Sequence, residues 1–320
     1  MSRFRQALRE VSANTTYQVS DLLIYSRFFP AGQISGTGPR NDQWSPENIT
    51  GLKVWLDADN ISWVTQSSGA ITNWTNRVGS VGGDFQPAGN LTPTLVDMVF
   101  GVPTRAAVMY STGTVDSGWM ASSFNFESFV PVSAPDAWNF GSAGDFSWWF
   151  VVQANPDERD GAPTNAYNLP AITTEEGDGY MLVGGRGAGG GRTSKFRFDA
   201  SKSEWDEWVV SSDNIVSGTN YIINVLHQRK SPGVSSTGYY LTMSVNGGTD
   251  VVLDQGSEVD PFAVWHVGSQ KMRLGGSVSP KNAQSRNRYF YEVLLFSGKV
   301  DNVDRDQITN YLRNKWDIGL

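Results

Sequence analysis

Residues 288–316 read RYFYEVLLFSGKVDNVDRDQITNYLRNKW, and this stretch decides the fold of the chain. Its first part, from Tyr289 to Phe296, is rich in aromatic and branched side chains, which favour a β-strand buried on at least one side. Gly298 breaks the strand, and an amphipathic pattern follows that stops before Gly319. The stretch therefore predicts a closing strand followed by a terminal helix.

The predicted helix has an N-terminal signal and one apolar stripe. Asp304 and Gln307 have the spacing of a capping box, which satisfies free backbone N–H groups at a helix N-terminus. Ile308, Leu312 and Trp316 recur at intervals of four residues, so they share one face. Because a helix this short is marginal alone, we expect its stripe to dock on the rest of the domain.

The remainder of the chain favours short strands separated by turns. It contains 12 Trp, 11 Tyr, 16 Phe and 34 Gly, a composition typical of strands and turns rather than of helices. Asn246 and Gly247 stand between two alternating runs and predict a type I′ turn. Many strands without β–α alternation predict an all-β fold, an antiparallel β-sandwich of jelly-roll type. The predicted strands are residues 51–56, 70–74, 106–110, 146–153, 179–183, 195–198, 208–210, 221–227, 239–245, 250–253, 271–274 and 289–296.

Composition also narrows the classes of function. The net charge of −7 argues against binding to nucleic acid or to anionic lipid, since both require a basic face. No apolar run approaches the roughly 20 residues that span a bilayer, and no secretory signal is visible, so we expect a soluble chain without membrane insertion. Cysteine is absent, which excludes disulfides. The two histidines, His227 and His266, lack zinc-ligand spacing, and we expect His227 in the core or at a sheet edge.

Residues 1–45 differ from residues 46–320, and we predict an N-terminal arm and linker ahead of one jelly-roll domain. Residues 1–11 read as a short basic amphipathic helix, and the second apolar run, residues 22–29, precedes a linker of Gly, Ser, Thr and Pro. Exposed apolar stripes need cover, so the arm either lies on its own domain or anchors the chain in a partner assembly. The apolar residues of this candidate anchor are Phe4, Leu8, Val11, Leu22, Leu23, Ile24, Phe28 and Phe29.

Three segments of the chain resemble the laminin-G-like branch of the concanavalin A-like lectin and glucanase jelly rolls. They are GLKVWLDADN (51–60), YLTMSVNG (240–247) and the ending 289–320, and the resemblance covers about residues 46–320. In bacterial and phage members a strand with a glutamate leads into a helix that closes on a Tyr-Leu and Lys-Trp pattern. The matching residues here are Glu292, Tyr311, Leu312, Lys315 and Trp316. Members often have a glycine shortly before the glutamate, and this chain lacks it.

The resemblance implies fold more firmly than function, because this sandwich hosts lectins, glycosidases, lyases and structural modules. Free-standing copies with a short N-terminal arm resemble virion surface proteins of tailed phages, namely head decoration proteins, head spikes and tail fibres. This implies a non-enzymatic virion protein that is made in the host cytoplasm and held on capsid or tail proteins by residues 1–45. It also implies display of loops towards host-surface carbohydrate, and a homo-oligomer such as a trimer.

Two alternatives stay open, a carbohydrate-binding module of a bacterial surface protein and a polysaccharide hydrolase or lyase. Glycosidases of this fold carry two or three acids on one strand face, and the nearest match is EWDEW at residues 204–208. The third acid is missing because Val209 and Val210 follow, so we expect no catalysis. Exposed aromatic rings nevertheless suit sugar rings. The candidate glycan-binding residues are Glu204, Trp205, Asp206 and Trp208.

Calcium is the one cofactor that the sequence leaves open. Asp57 and Asp59, followed by Asn60, place carboxylates at the end of the first predicted strand, and calcium prefers oxygen ligands. Two acids supply too few ligands alone, so we expect no required cofactor. The acids considered as further ligands are Asp97, Asp178, Asp199 and Asp254.

Overall fold

A computed structural model describes the strands of the chain and its C-terminal helix. The described residues are 44–78, 84–87, 93–99, 102–109, 120–125, 145–154, 172–174, 180–181, 195–199, 208–211, 216, 218–231, 238–256, 271–274 and 288–319. One compact unit, residues 49–320, contains every described strand and the C-terminal helix. The predicted arm and its boundary after residue 45 stay predictions, because residues 1–43 lie outside the described residues.

Seventeen strands and one α-helix make up most of the described part. Within that part, no helix combines the length and the apolar character needed to cross a membrane. The elements are β1 (Leu52–Asp57), β2 (Val64–Ser67), β3 (Ala70–Trp74), β4 (Phe85–Pro87), β5 (Thr94–Val99), β6 (Val102–Met109), β7 (Met120–Asn125), β8 (Phe146–Ala154), β9 (Ile172–Thr174), β10 (Tyr180–Met181), β11 (Arg197–Asp199), β12 (Trp208–Val210), β13 (Thr219–Arg229), β14 (Tyr239–Val245), β15 (Val251–Gln255), β16 (Lys271–Leu274), β17 (Arg288–Ser297) and α1 (Asn302–Trp316), with 3₁₀ turns at Pro46–Asn48 and Ile61–Trp63.

The described strands pair only in antiparallel fashion, and the fold is the predicted all-β sandwich with a C-terminal helix. The strand order is β10-β9-β16-β7-β4-β3-β5-β6-β17-β8-β13-β14-β15, with β1 added to β17, β2 added to β3, and β11 and β12 in a separate pair. The closing strand β17 is central: β8 pairs along one of its edges, and β6 and β1 share the other. The stretch that decides the fold thus lies where the sheet is held together.

Buried side chains lie on both sides of these central strands. On β8, Phe146, Trp148 and Phe150 belong to the inner core, and alternation places Trp149 on the opposite side. All four side chains are fully buried. Each such side chain contributes on the order of 1.5–3 kcal/mol through removal of apolar surface from water. The opposite side of the sheet must therefore have a cover of its own.

Helix α1 provides that cover. Ile308, Leu312 and Trp316 are all buried, which confirms the predicted apolar stripe. Trp149 Nε1 donates a hydrogen bond to Thr309 Oγ1 at 3.4 Å, so the helix contacts the sheet through polar atoms as well. The fold consequently has three layers over this region, namely the helix, the sheet beneath it and the strands across the inner core.

The N-terminal end of the helix differs from the predicted one. The N-cap is Asp301, whose carboxylate accepts from the backbone N–H of Asp304 at 2.9 Å, so the predicted capping box of Asp304 and Gln307 is wrong by one turn. Asp304 lies inside the first turn, where its own N–H is the donor that needs a partner. At the other end the helix stops at Trp316, as predicted, and the next residue, Asp317, adopts a left-handed conformation with φ 52°.

The turn at Asn246 and Gly247 is confirmed. Both residues have positive φ, 52° and 66°, and Gly248 N donates to Val245 O at 2.9 Å, as a type I′ turn requires. The β14–β15 ladder begins farther out, at Met243 opposite Val251, so the turn closes a wider loop than a two-residue hairpin.

Each predicted strand has an observed counterpart, and five further strands were not predicted. The largest difference in position is at β6, which runs from Val102 to Met109 where the sequence favours residues 106–110. The unpredicted strands are β2, β4, β5, β7 and β9. Most of them are short or mixed in polarity, so periodicity alone gives little signal there.

Candidate functional site

Glu292 is the centre of a buried polar network at the closing strand. Its side chain is fully buried, and Oε1 accepts from Trp55 Nε1 at 2.7 Å and from the Tyr311 hydroxyl at 3.0 Å. Oε2 accepts from Trp316 Nε1 at 2.7 Å and lies 2.8 Å from Lys315 Nζ. Both carboxylate oxygens are therefore satisfied by groups of the protein itself.

A β-bulge turns Glu292 towards the helix. Phe290 and Val293 both belong to the inner core, although strict alternation from Phe290 would also point Glu292 inward. The register of β17 against β8 shifts between Phe290 and Glu292, which is the position of the bulge. The shift brings the carboxylate to the outer side of the sheet, beneath α1.

Asp57 extends the network on β1, directly opposite Glu292 in the β1–β17 ladder. Its Oδ2 lies 2.7 Å from Lys315 Nζ and 3.1 Å from Arg77 Nη1. The Arg77 guanidinium lies 3.4 Å from the centre of the Trp55 ring. Two carboxylates and two cations are thus neutralised within one cluster. We call it the Glu292 network, with members Trp55, Asp57, Arg77, Glu292, Tyr311, Lys315 and Trp316.

Burial dominates the electrostatics of the network. Desolvation raises the pKa of Glu292, an effect that the charge of Lys315 opposes and the charge of Asp57 reinforces. Burial, followed by the charge of Glu292, also raises the pKa of Tyr311 well above its ordinary range. Asp57 and Glu292 share one ammonium group and are therefore close enough to suggest the acid pair of a glycosidase. Glu292 is closed to solvent, however, so the pair is built to join α1 to β1 and β17.

Of the predicted calcium ligands, Asp57 is a member of this network and Asp59 is hydrogen-bonded to it. Asp57 Oδ1 accepts from the backbone N–H of Asp59 at 3.1 Å, and its other oxygen faces the two cations. Within the described part of the chain, no three acids or histidines gather as a metal site would require. Asp254 is ion-paired with Lys230. The calcium hypothesis stays a prediction, because the side chains of Asp97, Asp178 and Asp199 are not among those described.

The other predicted site residues are untested. Glu204, Trp205 and Asp206 lie outside the described residues, and of Trp208 only the backbone is described, as the first residue of β12 opposite Asp199. The same holds for the anchor. Its residues Phe4, Leu8, Val11, Leu22, Leu23, Ile24, Phe28 and Phe29 all lie outside the described part.

A second region of the outer side of the sheet is open to solvent, around Tyr240 on β14. Tyr239 and Leu241 point into the inner core, so alternation sends Tyr240 outward, where it is 37% exposed. Its neighbours across the ladders are Gln228 on β13 and Asp254 on β15. We call this surface the Tyr240 face, with members Gln228, Lys230, Tyr240, Thr242, Val252, Asp254 and Lys299.

Charged and amide groups surround the Tyr240 ring. Lys230 Nζ lies 4.8 Å from the ring centre and forms an ion pair with Asp254. Gln228, the cross-strand neighbour of Tyr240 on β13, accepts at Oε1 from Lys299 Nζ at 2.8 Å. The face therefore combines one exposed aromatic ring with donors and acceptors on two sides of it. Such an arrangement can stack against an apolar ring and exchange hydrogen bonds with hydroxyl groups.

Helix α1 determines where this face begins. Near the N-terminus of α1, Arg305 Nε donates to Asn224 Oδ1 at 2.7 Å and its Nη2 donates to Ser244 Oγ at 2.8 Å. The same guanidinium group forms an ion pair with Asp250. Along β14 the outward residues change from buried Ser244 through half-buried Thr242 to exposed Tyr240. The face is thus the part of the outer side that the helix leaves uncovered.

His227 has a structural position, as expected. It is fully buried on the inner side of β13, with its ring stacked on Phe146 at 5.1 Å and lying 5.2 Å from Tyr239. Tyr240 was not among the predicted glycan-binding residues, which lie around the tryptophans at 205 and 208. The available signal was the alternation of Tyr239, Tyr240 and Leu241, which places one aromatic ring inward and the next outward.

Comparison with known proteins gives a likeness of fold. No family model matches the chain, and no curated protein matches it. The chain is similar to a structure of botulinum neurotoxin type C, which depends on interaction with two ganglioside molecules to enter cells, with a TM-score of 0.50 and 12% identity over 84% of this chain and 53% of that one. It is similar to the receptor-binding domain of botulinum neurotoxin D, with a TM-score of 0.50 and 10% identity over 83% of this chain and 54% of that one.

This likeness shows the fold alone. The chain spans about half the length of the solved structures it matches. The second neighbour is a receptor-binding domain by its name, and what both neighbours share with this chain is a β-rich architecture.

Proposed function

We propose that this chain is a non-enzymatic binding protein that recognises carbohydrate through the Tyr240 face. One observation carries the proposal: Tyr240 is an exposed aromatic ring with an amide group on one side and an ion pair on the other. Aromatic rings bury the apolar face of a sugar, and the flanking polar groups take its hydroxyls. The fold shared with a toxin receptor-binding domain supports a binding role.

The burial of Glu292 and its ion pair with Lys315 support a function without catalysis. A hydrolase needs an acid pair that a sugar can reach, whereas Glu292 is closed to solvent and held by Lys315. The alternative of a polysaccharide hydrolase or lyase rests on Glu204 and Asp206. Release of reducing ends from a polysaccharide, abolished in the double variant Glu204→Gln and Asp206→Asn, would favour that alternative.

We further propose that the protein stands on the surface of a tailed-phage virion, as a head decoration protein, head spike or tail fibre. Support comes from the resemblance of residues 289–320 to bacterial and phage jelly rolls and from the structural role of Glu292, Lys315 and Trp316 in that motif. In this proposal residues 1–45 anchor a homo-oligomer, such as a trimer, on capsid or tail proteins. The alternative is a carbohydrate-binding module of a bacterial surface protein.

A glycan array tests the binding proposal. The whole chain is expected to bind a defined set of glycans, and Tyr240→Ala is expected to weaken that binding about tenfold or more, because the stacking surface is lost. The matched control is Ile61→Ala, which removes a side chain that is 55% exposed on a different strand connection. Equal binding by Tyr240→Ala and the parent, or no glycan bound by the parent, contradicts the proposal.

Deletion of residues 1–45 tests the virion proposal. The shortened chain is expected to remain folded, because the described strands and α1 all lie in residues 49–320, and it is expected to be missing from purified particles. Circular dichroism checks the fold, and quantitative mass spectrometry of particles checks the occupancy. Incorporation of the shortened chain at normal occupancy contradicts the anchor.

A further inference from the structure

We infer that the Tyr240 face is selective for acidic saccharides, with the sugar ring on Tyr240 and its anionic group against Lys299. The inference rests on the proposed function and deepens it by naming the class of ligand. Two lysines lie near this exposed ring: Lys230 lies over it, and Lys299 is hydrogen-bonded to Gln228, the cross-strand neighbour of Tyr240.

Lys299 is hydrogen-bonded to a neutral partner. Its ammonium group is exposed and donates to a neutral amide oxygen, Oε1 of Gln228, at 2.8 Å. Among the described residues, no carboxylate forms an ion pair with it. An anion arriving here gains a charge-assisted hydrogen bond without displacing an existing ion pair. The Lys299 ammonium group is therefore a positive charge that can pair with an anionic ligand, in a protein whose net charge is −7.

The nearby acid Asp145 is already occupied. Its Oδ1 accepts from the backbone N–H of Arg229 at 2.9 Å, and burial raises the pKa of this carboxyl against the opposing charges of His227, Arg229 and Lys299. Asp145 therefore lies within the charge field of Lys299 but is directed to the backbone of β13. The exposed side of the ammonium group faces solvent, where a ligand would arrive.

Lys230 covers part of the Tyr240 ring. Its ammonium group lies over the Tyr240 ring while it pairs with Asp254. A neutral sugar that stacks on this side of the ring displaces the ammonium group and returns only uncharged hydroxyl acceptors, which form weaker hydrogen bonds with it than a carboxylate does. A sugar with a carboxylate or sulfate offsets this cost at Lys299, because its anion gains the ammonium partner there. The free-energy cost of moving Lys230 off the ring is thus offset more fully for acidic saccharides than for neutral ones.

The Tyr240 face also carries polar groups that can bind the hydroxyl groups of a saccharide. Asp254 is an exposed carboxylate that accepts from sugar hydroxyls once Lys230 has moved, and Gln228 and Thr242 add neutral polar groups along the same face. The occupant is therefore an oligosaccharide that carries one anionic substituent. A carboxylate and a sulfate share this chemistry, and the experiment separates them.

The test measures binding of matched oligosaccharide pairs that differ only by one carboxylate or by one sulfate. We expect the full chain to bind the acidic member of a pair about tenfold more tightly, and increased salt to reduce that preference. Lys299→Gln is expected to remove the preference and Lys299→Arg to keep most of it, because the guanidinium preserves the charge. The matched control Lys53→Gln removes one positive charge from β1 and is expected to change nothing.

The outcomes separate this inference from the proposed function. Binding that needs Tyr240 but favours the neutral member of each pair overturns the inference and leaves carbohydrate recognition standing. An equal loss in Lys299→Gln and Lys53→Gln also overturns it, because the effect then follows net charge alone. Absence of binding to every oligosaccharide overturns both. Preference for only the carboxylated or only the sulfated member identifies the anion and supports the inference.

Discussion

The Glu292 network and the Tyr240 face lie on the same outer side of the sheet, and they differ in what covers them. Under α1, Glu292 is fully buried with both carboxylate oxygens bonded, and its ion pair with Lys315 is internal. Beyond the helix, the ion pair of Lys230 and Asp254 borders an exposed ring. The same residue types thus stabilise the fold where the helix closes the sheet and remain available for a ligand where it does not.

The largest loss of stability is expected from Trp316→Ala, in the part of the sheet that α1 covers. The change leaves a cavity under α1 and removes a hydrogen bond from buried Glu292, so the free energy of unfolding is expected to fall by about 3–5 kcal/mol. Chemical denaturation measures the loss. A fall below about 1 kcal/mol would show that the helix is not needed to close the sheet.

Glu292→Gln is expected to cost about 1–3 kcal/mol at neutral pH, because an amide N–H₂ faces donors where a carboxylate accepted from them. The pH dependence provides a sharper test. Since burial raises the pKa of Glu292 in the folded state, the folded protein binds the proton more readily than the unfolded chain. The free energy of unfolding therefore rises as pH falls from the folded-state pKa towards the ordinary value of 4.5.

This rise is expected to be smaller in Glu292→Gln than in the parent chain. Denaturation at several pH values from neutral down to about 4 measures both proteins. Subtraction of the two curves removes the contribution of Asp145, whose pKa burial also raises. Parallel curves would mean that Glu292 is ionised equally easily in the folded and unfolded chains.

Gly247→Ala tests the contact between the turn and the helix. A Cβ at Gly247 would meet Thr309 Cγ2 at 2.9 Å, and φ is 66° there. We expect a loss of about 1–2 kcal/mol. The matched control is Gly69→Ala, where φ is 82° and no atom lies within 4 Å of the added Cβ. Equal losses would assign the whole effect to backbone strain and none to α1.

The smallest effect on stability is expected at the Tyr240 face. Tyr240→Ala and Asp254→Asn should each change the free energy of unfolding by no more than about 0.5–1 kcal/mol, because exposed side chains and exposed ion pairs contribute little. Thermal denaturation measures both variants. A loss comparable to that of Trp316→Ala would make this face part of the structural core and unsuitable for a ligand.

The sequence carried much of the fold because local patterns specify strands and turns. Asn246 and Gly247 identified their turn without tertiary information, and the stripe of Ile308, Leu312 and Trp316 identified the docked side of the helix. The N-cap was misplaced because several aspartates in the first turn have nearly equivalent spacings. Only the backbone geometry selects Asp301.

The sites depended on contacts that no local pattern encodes. Trp55 and Glu292 bond across 237 positions of sequence, and the bulge beside Phe290 reverses the side that strict alternation assigns to Glu292. The exposure of Tyr240 likewise depends on where α1 ends its cover, which the sequence of β14 does not contain. Periodicity thus gave the two sides of a strand, and tertiary packing decided which side stays open.

We expect ligands to bind the open part of the outer side, at the Tyr240 face, and not the part that α1 covers. Titration of an oligosaccharide from the array into ¹⁵N-labelled protein, followed by amide and indole N–H chemical shifts, tests it directly. The backbone amide signals of Lys230, Tyr240 and Asp254 are expected to shift, and the indole signals of Trp55 and Trp316 are expected to stay unchanged. Shifts at those two indoles without change around Tyr240 would contradict it.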